Sequence, residues 1–404
     1  MALDTRHPPG AATTVAVAAM FFLNGATYGS WIPRLPEIQE RLEVSDALLG
    51  LTLLGGGIGG LLTSVLAGRL VDRVGSRRAT VTTSVVLACL LPLVGFAPLP
   101  GVLFVTLLAI GALDGLTDVA QNTQAMELQA LRSRSIVSRM HALWSIGTLG
   151  GGIVATRAAR AGVELQHQLL ATGVVLAVGA IVAGRHLLPP GPLEHELLHP
   201  DEPAPGTDGA SRPARRGVLL PRHLVLLLVA LGMAATMAEM PSTEWASLIM
   251  AERFDLDAAA AGIGFVVFAA GMVVGRLGGD VVVDRFGTEP TRRAGGVLGL
   301  VGVLLVAVSP TAWVAGVGFA VSAVGVSSLF PLAIRRASEL AGGSSRGVAT
   351  FSAGARIGLL LASPMMGLVS ELTSRSTALL VIAGSAAAAS AALRIPDRVR
   401  PATD

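Results

Sequence analysis

The sequence predicts an all-α integral membrane protein of twelve transmembrane helices, arranged as two pseudo-symmetric six-helix bundles. Three observations predict it. Hydrophobic residues make up 52% of the 404-residue chain and charged residues only 14%. A soluble domain carries about 25% charged residues, so this chain cannot clothe a water-facing shell. Apolar stretches long enough to cross ~30 Å of hydrocarbon, which takes roughly 20 helical residues, recur twelve times. Arginines, the sole basic residue besides histidine, collect in alternate connections.

The stretches lie near residues 12–32, 47–68, 79–97, 102–126, 137–156, 166–187, 222–245, 258–278, 294–310, 312–334, 347–368 and 376–394. Their divisions at Pro310 and at the start of the fifth are the least marked. The opening residues MALDTRHPPGA have neither the basic start nor the cleavage site of a removable leader, so the first span is expected to be retained. Residues 1–190 read as an N-terminal bundle and 221–404 as a C-terminal bundle. Between them, 191–220 is rich in Pro, Gly and charge and reads as a cytoplasmic linker without chemistry of its own.

Number the spans from an inside N-terminus, and 23 of the 30 arginines fall in one set of connections, six in the other, with Arg356 inside a span. That asymmetry matches the positive-inside rule and predicts cytoplasmic N- and C-termini in an inner membrane. Several function classes recede. The single Cys89 sits in an apolar run and allows no intrachain disulfide. Aromatics at 4% offer no stacking platform for nucleic acid. No phosphate loop, nucleotide fingerprint or nucleophile elbow occurs, no metal constellation forms, and no cofactor is implied. The glycine runs Gly55–Gly57 and Gly150–Gly152 lie in apolar segments and read as helix-packing surfaces.

The chain carries an internal repeat. The segment after span 2 reads Gly68-Arg-Leu70-Val-Asp72-Arg73-Val-Gly75-Ser-Arg77-Arg78; after span 8 it reads Asp280-Val-Val-Val-Asp284-Arg285-Phe-Gly287. Asp72 and Asp284 are 212 residues apart, and so are Glu127 and Glu339. One offset relating two acidic pairs points to duplication of a six-span unit. From spacing alone, these segments serve either as plain positive-inside loops or as gate elements. The first segment resembles the signature of the major facilitator superfamily, Gly-x-Leu-x-Asp-Arg-x-Gly-Arg-Lys/Arg, at Gly68, Leu70, Asp72, Arg73, Gly75 and Arg77. It departs at Ser76. The second copy keeps Asp284, Arg285 and Gly287 and lacks the leading glycine. The stretches 30–38 and 140–151 and the acidic end of span 7 are similar to a bacterial permease branch loosely related to fucose permease. The resemblance implies two bundles around a central cavity, open to each side in turn. It also implies an inner gate braced by Asp72 and Arg73, with Glu127 as partner for Arg73 and Glu339 for Arg285. The proline-containing span 5 motif of many drug antiporters is absent.

Ionised side chains at a span centre cost about 2.5–3.5 kcal/mol each on insertion scales, so those present are expected to face a cavity or a partner. Span 4 reads GALDGLTDVAQNTQAMEL. Asp114, Asp118 and Asn122 stack on one helical face with Gln121 beside them. Two carboxylates one turn apart repel when both are ionised, so one of the pair is expected to hold a proton, as a proton-coupled carrier requires. The alternative is structural hydrogen bonding between helices. In span 7, Glu239 and Glu244 flank Pro241, which is expected to bend the helix and open it beside an acid; Glu244 with Trp245 reads alternatively as an interface anchor. Arg356 in span 11 needs an anion, either one of Asp114, Asp118 and Glu239 or a substrate carboxylate or phosphate. Asn24 and Tyr28 share a face of span 1, with Trp31 and Arg34 marking its outer mouth. His141 with Trp144 reads as packing or as a proton relay.

These residues lead to one expectation: a non-enzymatic secondary transporter, a monomer in the lipid bilayer, coupling a small organic solute to protons. Efflux of hydrophobic compounds and a non-transporting sensor or scaffold of the same fold are the alternatives.

Overall fold

A computed structural model of the chain describes residues 10–64, 66–132, 136–189, 220–341 and 345–393. Both termini and nearly all of the linker expected at 191–220 lie outside the described residues. Among the described residues the chain is helical, with no strand. The first half holds α1 (Ala11–Gly29), α2 (Leu35–Leu42), α3 (Asp46–Ser64), α4 (Ala67–Val74), α5 (Ser76–Phe96), α6 (Pro100–Arg132), α7 (Val137–Arg160) and α8 (Leu165–Gly184). The second half holds α9 (Arg222–Phe254), α10 (Ile263–Phe286), α11 (Thr288–Val308), α12 (Ala312–Val326), α13 (Leu329–Leu340), α14 (Ser345–Leu372), α15 (Arg375–Leu379) and α16 (Ser385–Ala392). α12 and α13 together make one apolar stretch, Ala312–Leu340.

Eleven stretches are long and apolar enough to cross a membrane by length and composition. The twelfth crossing is α7, a continuous helix of 24 residues that carries Arg139, His141, Arg157 and Arg160 and so falls short in apolarity. This is the fifth span, whose start is also the least marked in the sequence. Large apolar side chains stand outward along the helices, Val15, Val175, Val281 and Val308 among them. That surface is unfavourable in water and favourable in lipid. The chain is a multi-pass membrane protein.

The described residues form two compact units. One comprises the described residues within 1–31 and 55–216, the other those within 32–54 and 217–404. The segment 32–54 thus groups with the second unit. α3 therefore begins in one unit and ends in the other.

The duplication is written in backbone contacts as well as in motifs. In the first unit a Cβ on Gly25 would strike the Trp144 carbonyl, and one on Gly147 the Phe22 carbonyl. In the second unit a Cβ on Gly232 would strike the Phe351 carbonyl, and one on Gly354 the Val229 carbonyl. Each of these four positions recurs 207 residues later. Small residues let α1 meet α7, and α9 meet α14, backbone to backbone. The glycine runs read as packing surfaces behave likewise: Gly55 abuts Phe104, and Gly151 abuts Ala26.

The two signature segments close on the same turn. Gly75 has φ 88° and ψ 138°, and Gly287 has φ 86° and ψ 166°. Both donate their N–H to the carbonyl four residues back, Val71 at 2.7 Å and Val283 at 2.8 Å. That backbone region is essentially restricted to glycine. Gly75→Ala and Gly287→Ala are each expected to lose about 1–3 kcal/mol of stability from this strain. Gly68→Ala, with no atom within 4 Å of its added Cβ, is expected to match the parent. Thermal unfolding of the three purified variants in one detergent checks the contrast.

Candidate functional site

In the first unit a hydrogen-bonded chain crosses three helices. α6 runs unbroken for 33 residues with no proline beyond its first position, so the four-residue spacing of Asp114, Asp118 and Asn122 is kept on one face. The Trp144 Nε1–H on α7 donates to Asn24 Oδ1 on α1 at 2.7 Å, and Asn24 Nδ2 donates to Asp114 Oδ1 at 2.8 Å. An indole nitrogen only donates, so Trp144 fixes which way the Asn24 amide points. The Tyr28 hydroxyl also hydrogen-bonds Asp114. Its ring centre lies 6.3 Å from that of Trp144.

One turn further along α6, Asp118 accepts from Asn122 Nδ2 at 2.8 Å and from the Gln121 amide. Gln121 is 2% exposed, and among the described residues its Oε1 has no hydrogen-bond partner. Asp118 is exposed and Asp114 half-buried. Every donor to the two acids is neutral, and among the described residues no ion pair reaches either. The predicted residues Asn24, Tyr28, Asp114, Asp118, Gln121 and Asn122 are thus brought together, with Trp144 as a member. The His141 ring packs edge-on against Phe21 at 5.4 Å.

In the second unit Glu239 on α9 pairs with Arg276 on α10 at 3.0 Å, their side chains 14% and 24% exposed. This corrects the sequence reading twice. Arg276 was counted with the arginines of the cytoplasmic connections although it falls in the stretch 258–278, and Arg356 was offered as a partner for Glu239. The helix α10 runs on to Phe286, which sets Arg276 well inside it. An unmatched acid on span 7 was the signal for a nearby cation. Arg356 is exposed on α14.

Glu244 accepts a hydrogen bond from the Ser363 hydroxyl on α14, and Ser363 Oγ accepts the Trp245 Nε1–H at 3.1 Å. Trp245 is fully buried, so the interface-anchor alternative for this pair is overturned. The bend expected at Pro241 does not break the helix either: α9 is continuous over 33 residues. Membrane helices tolerate proline when neighbouring groups satisfy the freed carbonyl.

Arg34 is not at an open mouth. It is 3% exposed and bonded to Glu37 at 2.8 Å. A cluster the sequence reading missed lies close by. Arg375 donates to Asp46 at 2.7 and 2.9 Å, to Gln39 Oε1 at 2.8 Å and to the Leu248 carbonyl at 2.9 Å. It ties α2, α3, α9 and α15 together beside an opening of about 490 Å³ whose lining includes Glu40, Glu43, Glu252 and Asp257. The pairing spans 329 residues, and no local pattern announces it.

In the signature segments, Arg77 donates to the carbonyls of Gly184 and Arg185 at 2.9 and 3.0 Å, capping the end of α8. The expected acidic partners are corrected. Glu339 bonds Arg336 at 2.8 Å and Arg335 at 3.3 Å on its own helix, one turn away, and Arg285 lies 5.5 Å over the Phe286 ring. No bond joins Arg73 to Glu127 among the described residues. α6 runs on to Arg132, which leaves Glu127 buried more than a turn inside the helix rather than at its end.

Comparison with known proteins agrees with this architecture. A family model described as Major Facilitator Superfamily matches residues 17–350 and 227–404. An uncharacterised MFS-type transporter of Yersinia pestis is 27% identical over 388 residues, covering 94% of this chain and 96% of that protein. The membrane protein MosC of Rhizobium meliloti is 27% identical over 378 residues, covering 93% and 88%. Among solved structures, a mutant of the nucleoside transporter NupG aligns with TM-score 0.74 at 15% identity, over 94% of this chain and 98% of that one. The fucose:proton symporter FucP of E. coli aligns with TM-score 0.58 at 16% identity, over 93% and 96%.

Removing one partner of a buried pair strands the other charge, at about 3–5 kcal/mol. Glu239→Gln and Arg276→Gln are each expected to lower the unfolding temperature, and the double variant to recover most of the loss. A double-mutant cycle by thermal unfolding measures the coupling.

Proposed function

Because the chain belongs to the Major Facilitator Superfamily, we propose that it carries a small polar organic solute across the inner membrane by alternating access, coupled to protons. The observation that carries this reading is the pair Asp114 and Asp118, four residues apart on one membrane helix and bonded only to neutral donors. Asp114 is half-buried, and a carboxylate on a membrane helix without a counter-cation is destabilised. A proton supplies the missing charge, and its release restores the acid for the next cycle.

Asn24, held by Trp144, and Tyr28 orient Asp114. Gln121 and Asn122 orient Asp118. Glu239 with Arg276, Glu244 with Ser363, and Arg356 supply further polar groups for solute or proton in the second unit. His141 belongs to the surrounding packing. The signature segments at Gly68–Arg77 and Asp284–Gly287 act as inner gate elements: their glycine turns allow two helices to reverse closely, and their arginines keep the segments in the cytoplasm. The arginine asymmetry favours cytoplasmic termini, and the protein works as a monomer. FucP and a D-xylose-proton symporter are named for proton symport, which supports coupling in a chain of the same fold.

The test begins with a solute found by thermal-shift screening and reconstituted in proteoliposomes. The wild type is expected to accumulate it when a pH gradient is imposed. Asp114→Asn and Asp118→Asn are expected to lose accumulation at least tenfold while still exchanging solute down its gradient. Full gradient-driven accumulation in the Asp114→Asn/Asp118→Asn double variant would remove these acids from the coupling.

A further inference from the structure

We infer that the cluster around Asp114 and Asp118 binds an organic ammonium group that carries N–H bonds, so that the solute is a small primary or secondary amine. This rests on the transport reading and names its substrate class. Three observations converge. The two carboxylates receive only neutral donors, Asn24 at 2.8 Å and Tyr28 on Asp114, Asn122 at 2.8 Å and Gln121 on Asp118. Glu239 in the second unit, by contrast, has its own guanidinium at 3.0 Å. Independently of charge, Gln121 is 2% exposed and bonded to Asp118, yet among the described residues its Oε1 has no donor. The cluster therefore lacks both a positive charge and a hydrogen-bond donor, and a protonated amine brings both in one group. Finally, the rings of Tyr28 and Trp144 stand 6.3 Å apart beside Asp114, and aromatic faces attract cations.

Among the described residues of the first unit, no basic group of the surrounding elements acts on the two acids. α1 contributes Tyr28, α3 only Asp46 at its far start, α4 Arg69, Asp72 and Arg73, α5 Arg77 and Arg78, and α7 His141 with Arg139, Arg157 and Arg160. None of the basic groups acts on Asp114 or Asp118. A neutral solute would leave the charge uncompensated, and a carboxylate would add to it. A quaternary ammonium would meet the charge but offer Gln121 no N–H bond. The ammonium and a proton satisfy the same acids, so binding one displaces the other.

The experiment uses the full chain in lipid nanodiscs. Probes are ethanolamine and putrescine, with ethylene glycol as the neutral and glycolate as the anionic counterpart of ethanolamine, and choline as the quaternary one. Readouts are the unfolding temperature and the proton release on mixing, followed with a pH dye. The two amines are expected to stabilise the protein and release protons, choline to bind at least about tenfold more weakly, and the other two to have no effect. Asp114→Asn and Asp118→Asn are expected to weaken amine binding at least about tenfold. Asp118→Glu, which keeps the charge, retains it, so a folding defect in the Asn variants is separable. Equal binding of glycol or glycolate, survival of amine binding in the double Asn variant, or no binding of either amine overturns the inference. Flux assays with the same probes separate the two proposals. Amine binding without flux removes the transport reading and leaves the site, whereas flux of a neutral or anionic solute without amine binding does the reverse.

Discussion

The dominant constraint is the free energy of holding an ionised side chain away from water. A carboxylate in a low-dielectric interior must have a counter-charge, a set of donors or a proton. The second unit gives Glu239 a counter-charge in Arg276. The first unit gives Asp114 and Asp118 neutral donors alone. That difference separates an ion pair complete within its own unit from two acids held by neutral donors, the basis of the proposed proton and amine site.

Holding such groups in register needs rigid helices in close contact, and the sequence supplies this through small residues. Gly25 and Gly147 bring α1 and α7 together backbone to backbone, which places Asn24 and Trp144 within a single hydrogen bond of each other. The equivalent crossing at Gly232 and Gly354 joins α9 to α14, the same two helices that carry Glu244 and Ser363. The packing that replaces a hydrophobic driving force in lipid is thus also what orients the polar groups.

The fold was legible in the sequence because hydropathy, arginine placement and the repeat are each local or periodic signals. The four-residue spacing on α6 was legible for the same reason: an unbroken helix converts spacing into a shared face. What could not be read were partners set by tertiary packing. Arg276 stands at the end of an apolar stretch whose helix runs on past Asp280 and Asp284 to Phe286, so it was counted with the loop. Ser363 is one serine among many until Trp245 and Glu244 reach it. The Arg375 clasp joins residues 329 apart. The expected Arg285–Glu339 contact failed because Arg335 and Arg336 sit one helical turn from Glu339, and a near partner on the same helix needs no tertiary approach.

The central claim is that Asp114 and Asp118, rather than the compensated Glu239, are where protonation changes. Infrared difference spectroscopy across a pH step, on protein in nanodiscs, reads carboxyl protonation directly. A protonated-carboxyl band is expected in the wild type, persisting in Glu239→Gln and vanishing in Asp114→Asn/Asp118→Asn. An undiminished band in that double variant would contradict the claim.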